Sequence, residues 1–91
     1  MNIPRITSLN NALLLYHKYA EIGNKEMNLL FGKLSSATVA RLKKVVKDEM
    51  VKKGKFSYRL NAVNTKIAFD VWGLDVDDLE RRQKRLKDLN L

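Results

Sequence analysis

Arg41 and Lys44 stand, with Lys43, in a stretch, Ser35 to Lys44, that otherwise offers small or hydroxyl-bearing side chains between its apolar positions. At about 3.6 residues per helical turn, Ser36, Ala37, Ala40, Arg41 and Lys44 fall on one face. A guanidinium and an ammonium on such a face can donate to planar acceptors, and the small neighbours permit close approach. Around them lies a wider set of donors suited to phosphate oxygens: Lys25, Lys33, Ser35, Thr38, Lys43, Lys47, Lys52, Lys53, Lys55 and Arg59. Other chemistry is sparse. There is no cysteine, and the single His17 sits beside Tyr16 with no evident partner acid, so it is expected to be neither base nor ligand. No glycine-rich phosphate loop, metal-ligand spacing or nucleophile motif is present, and no catalysis, cofactor, metal or small-molecule substrate is expected.

The 91 residues carry a formal net charge of +8, and the excess is local. Residues 25–63 hold ten bases against three acids, whereas residues 1–24 hold two against one and residues 64–91 hold six against six. A basic field of this kind either faces a polyanion or is a solvated helix face. Apolar residues at 45% are enough to close one core, so one domain over 1–91 is expected. The absence of cysteine suits a reducing compartment. The longest apolar run, Ala12 to Tyr16, is far too short to span a bilayer, and nothing resembles a secretion signal. A cytoplasmic protein with no membrane partner is expected.

The elements that must position these residues are helical. Ser8 or Thr7 can cap a helix through Leu9, Leu13, Tyr16 and Ala20 that ends near Gly23, a glycine expected at positive φ. Asn24 then caps a short helix through Met27, Leu30 and Phe31, closed by Gly32. Ser35 or Ser36 caps a third helix with the apolar line Val39, Leu42, Val46 and Met50 and a stop at Gly54. For residues 55–72 two readings stand: a two-stranded wing turning at Asn61–Asn64, or an extended arm over 55–63 followed by a short buried helix over 65–72, the preferred one. Phe56 and Tyr58 are expected to seal the core, although an arm of bases and aromatics can also follow a nucleic-acid backbone. Asp75 caps a last helix over 75–90, acidic in its first turn and basic later, an order that suits the helix dipole better than a metal site. The result is an all-α, four- to five-helix domain.

The run NKEMNLLFGKLSSATVARLKK, residues 24–44, resembles the helix-turn-helix DNA-binding domains of small prokaryotic and phage regulators: repressors, excisionases and resolvases. The likeness covers about 20 of 91 residues and is best over LSSATVARL. It differs in placing Leu34 two residues after Gly32 and in having Asn28 where a small residue is usual. The resemblance implies double-stranded DNA as partner, base contacts from Ser36, Ala37, Ala40, Arg41 and Lys44, and phosphate contacts from the wider donor set. It also implies a role in transcription regulation or recombination, nucleoid association, and a homodimer through helix one or the last helix. An interaction module of helix-turn-helix shape, an antirepressor or adaptor, is the alternative. A fainter echo, NTKIAFDVWGLDVDDLERR, repeats the scheme with Gly73 on Gly32 and Trp72 on Phe31, but its acids argue against a second DNA-reading unit.

Overall fold

Local caps set most of the boundaries in the computed structural model, which describes residues 2–89. Ser8 opens α1 (Leu9–Lys18) by accepting a hydrogen bond from the Asn11 N–H at 3.0 Å. The helix does not continue toward Gly23. Tyr19 turns into extended backbone and the chain enters a short strand, β1 (Glu21–Ile22). Gly23 is therefore extended, with φ −114°, and not left-handed as its place in the sequence suggests. Gly23, and not Asn24, is the N-cap of α2 (Asn24–Phe31), and its N–H donates to the Glu26 carboxylate at 2.8 Å.

Gly32, at φ +83°, ends α2 and begins the turn to α3 (Ser36–Lys52). Inside this turn the Leu34 N–H donates to Asn28 Oδ1 at 3.2 Å, which explains a polar side chain at this helix crossing, and Leu34 packs against the core. Ser35 is the cap of α3 and accepts from the Thr38 N–H at 3.2 Å. An arm without regular structure follows Gly54, then β2 (Val63–Asn64) and the short buried α4 (Thr65–Val71), whose cap Asn64 accepts from the Ile67 N–H at 3.0 Å. The arm-and-helix reading of 55–72 holds. The two-stranded element is real but differently paired, because β2 is matched antiparallel with β1, Glu21 opposite Asn64 and Ile22 opposite Val63.

Asp75 accepts from the Asp78 N–H at 3.2 Å and caps α5 (Val76–Asp88). Residue 90, the expected end of this helix, lies outside the described residues. Gln83 donates to Asn10 at 2.6 Å and the His17 ring meets Glu80 at 3.0 Å, so α5 lies along α1 and His17 gains an acid partner that its sequence neighbours do not supply. A single apolar cluster joins all five helices, with Phe69, Ile22, Met27, Leu30, Leu42, Val46 and Val63 wholly buried. Among the described residues no helix is long and apolar enough to cross a membrane.

The echo in the sequence has a spatial counterpart. Aligning Gly32 with Gly73 makes Ile22 equivalent to Val63 and Phe31 equivalent to Trp72. Ile22 pairs with Val63 across the sheet, and the rings of Phe31 and Trp72 meet edge to face at 5.3 Å. These two contacts join equivalent residues of the β1-α2 and β2-α4 segments, but the likeness stops there, since α3 packs on α4 and β2 whereas α5 packs on α1.

Candidate nucleic-acid interface

The core-facing side of α3 carries Val39, Leu42, Val46 and Met50, and this burial turns the opposite side to solvent. Ser36, Ala37, Ala40, Arg41 and Lys44 are all exposed there, the set that the spacing groups together. Arg41 makes no hydrogen bond or ion pair among the described residues, whereas Lys44 meets Asp48 one turn on, at 3.3 Å. Both members of that pair are exposed, so it is worth little and leaves Lys44 available to another partner. Ser36, Ala40, Lys44 and Lys47 form one wall of an open groove of about 600 Å³, completed by Asn24 and Asn28 of α2 and by Asn61 of the arm. Ala37 and Arg41 lie outside the groove, further round the same helix. Asp48 brings an acid into the groove, which a count of basic residues does not reveal.

Three expectations about phosphate donors change. Ser35 and Thr38 are turned on each other: the Ser35 hydroxyl donates to Thr38 Oγ1 at 2.9 Å while accepting the Thr38 N–H. Lys43 is not a surface donor. It lies on the buried side of α3, and its ammonium donates to the Asn61 carbonyl, fastening the arm to the helix. Burial pushes its pKa below the usual lysine range; Lys47 adds to the effect and Glu26 opposes it. Arg59 is committed as well, donating to Glu26 at 3.1 Å and to the Glu21 carbonyl at 3.3 Å. Lys25, Lys33, Lys47, Lys52 and Lys55 remain exposed and unpaired among the described residues, and Lys53 reaches Glu49 at 4.0 Å.

The arm is held by this network. The Glu21 carboxylate accepts from the backbone N–H groups of Tyr58 at 2.6 Å and Arg59 at 2.9 Å, and the Ser57 hydroxyl donates to the Ala62 carbonyl at 2.6 Å. Phe56 and Tyr58 do not seal the core; both face solvent. The core closes without them because Val63 and Trp72 fill the space beneath α3, with the Trp72 indole N–H donating to the Leu42 carbonyl at 3.2 Å.

Glu26 is the buried acid of the network. Burial disfavours its charge, but the Gly23 N–H, the Arg59 guanidinium and the nearby Lys25 outweigh that, and its pKa lies below the ordinary value. A lowered acid pKa contributes stability that is present above the unfolded-state value of roughly 4.3 and lost as pH falls through the folded value. Arg59→Ala therefore costs about 1–2 kcal/mol near neutral pH and moves the onset of acid unfolding to higher pH. Thermal denaturation followed by circular dichroism between pH 3 and 7 checks this, and an unchanged acid limb in Arg59→Ala would count against the role of the pair.

No protein-family model matches the chain, and no curated protein and no solved structure matches it.

Proposed function

We propose that the protein binds double-stranded DNA sequence-specifically by laying the exposed face of α3 in the major groove, as a small transcriptional regulator or recombination accessory factor of the phage and mobile-element kind. The observation that carries this reading is the free guanidinium of Arg41 on a face of small side chains, within the segment that holds most of the net charge. Arg41 is suited to paired hydrogen bonds with guanine O6 and N7, Lys44 and Ser36 to neighbouring base edges, and Ala37 and Ala40 to close approach or a thymine methyl. Lys25, Lys33, Lys47, Lys52 and Lys55 supply phosphate contacts that orient the helix without reading sequence. A homodimer on two half-sites would use apolar side chains left exposed either on α1, Leu14, or on α5 and its C-cap, Leu86 and Leu89. Nucleoid association in the cytoplasm follows from the same reading.

The test is enrichment of a binding sequence from a random duplex library, then a polarisation assay at roughly 0.2 M salt against the selected and a scrambled duplex. Arg41→Ala is expected to cost about 1–3 kcal/mol on the selected duplex and to relax preference at one base pair. Equal affinity for selected and scrambled DNA would overturn sequence-specific binding. The presence of Asp48 in the groove favours a second reading, a protein-interaction module whose partner supplies a base to that acid; there, no duplex is enriched and Asp48→Ala weakens the protein complex.

A further inference from the structure

The arm between α3 and β2 exposes its largest side chains almost completely: Phe56 at 85%, Tyr58 at 99% and Leu60 at 91%, with Val51 of α3 beside them at 77%. Four large apolar groups clustered in solvent are unusual in a chain whose core is otherwise closed, and such a patch marks a contact surface. The arm is also fastened on both sides. Glu21 holds the backbone of Tyr58 and Arg59, Arg59 reaches Glu26, Ser57 bonds Ala62, and Lys43 bonds Asn61. The apolar tip is thus presented by a braced loop.

The surroundings select the occupant. Lys47 and Lys55 line the hollow at the patch and Lys52 follows Val51, all exposed, while the acids at the arm, Glu21 and Glu26, are taken up by its backbone N–H groups and by Arg59, so an anionic partner with an apolar or planar interior suits the patch. Stacked bases between phosphate strands have that character. The hollow at the arm, lined by Val51, Lys55, Phe56, Tyr58 and Leu60, shares Lys47 and Asn61 with the groove along α3, so the two form one continuous surface.

Resting on the DNA-binding reading above, we infer that the arm is a wedge: while α3 occupies the major groove, Phe56, Tyr58 and Leu60 enter the neighbouring minor groove, unstack a base step and bend the duplex. Apolar side chains inserted between base steps open the minor groove and bend the helix toward the major groove, and flexible pyrimidine–purine steps yield most easily. The arm therefore adds a preference for deformable sequence beside the site that α3 reads.

The experiment uses the full chain and a 40-base-pair duplex carrying the sequence enriched from the random library, labelled at its ends with a donor and an acceptor fluorophore. The wild type is expected to shorten the end-to-end distance. The triple variant Phe56→Ser, Tyr58→Ser, Leu60→Ser, which alters only exposed side chains, is expected to keep its melting temperature and the bases preferred at the site that α3 reads, lose the preference for a deformable step beside it, bind roughly tenfold more weakly, and leave the duplex straight. Equal bending and equal affinity in the two proteins overturn the wedge while the DNA-binding reading stands, as judged by Arg41→Ala. Failure to enrich any duplex overturns both. Flotation with phosphatidylserine vesicles that is lost in the triple variant, with no effect of that variant on the duplex, overturns the wedge in favour of a membrane contact.

Discussion

Replacing Trp72 with Ala is expected to lower the unfolding free energy by about 3–5 kcal/mol, the range for deleting a buried large aromatic side chain. Trp72 ends α4, is 3% exposed, and does two things at once. Its ring meets Phe31 of α2 edge to face at 5.3 Å, and its indole N–H donates to the Leu42 carbonyl of α3 at 3.2 Å. One side chain thus joins three helices, and alanine leaves a cavity where they meet. A domain of this size has about 5–15 kcal/mol in total, so the loss is a large part of it and corresponds to a fall in melting temperature of at least about 12 °C. Trp72→Phe keeps an aromatic contact with Phe31 while losing the N–H donor, and is expected to fall between the two. Urea denaturation of the three proteins measures the differences, and a loss below about 1 kcal/mol in Trp72→Ala would show that Trp72 is not the junction. Because α3 rests on this junction, the same substitution is expected to impair any binding by its outer face.

The second large effect concerns salt. Five lysines, Lys25, Lys33, Lys47, Lys52 and Lys55, are exposed and unpaired among the described residues, and if each neutralises one phosphate the log–log slope of affinity against salt is about −4.5. Affinity for the selected duplex should then fall roughly 500-fold between 50 and 200 mM salt. Were Lys43, Lys53 and Arg59 also phosphate contacts, the slope would approach about −7, so the measurement tests the assignments drawn from their partners. Lys47→Met is expected to reduce the slope by about 1, and Lys43→Met, whose ammonium is spent on Asn61, to leave it unchanged. A slope near zero would remove duplex DNA as the partner of this face.

Much of the architecture is legible in the sequence because it rests on short-range hydrogen bonds. Ser35, Asn64 and Asp75 each satisfy a backbone N–H three residues away, so their side chains can be identified as caps without knowing the rest of the molecule. The outward position of Arg41 and Lys44 follows equally from the helical period once Val39, Leu42 and Val46 are assigned to the core. The end of α1 was not legible. Its apolar spacing runs on to Ala20, and only the distant β2, pairing with Glu21 and Ile22, draws the chain into extended backbone.

By itself, then, the amino-acid sequence determines a mainly helical fold, the places where its later helices begin, the face that α3 turns outward, and the segment that carries the positive charge. All of these depend on periodicity, capping and composition, which act within a few residues of each position. Tertiary structure alone decides what individual side chains do with that arrangement. Lys43 and Lys47 have the same chemistry and lie one turn apart, yet one is buried against Asn61 and the other is exposed, because the arm returns over only one of them. Arg59 is drawn to Glu26, His17 to Glu80, and Phe56 and Tyr58 are left in solvent by long-range contacts. A lysine or a phenylalanine carries no local mark of the carbonyl, carboxylate or empty space it will meet, since that partner comes from a part of the chain whose position only folding fixes.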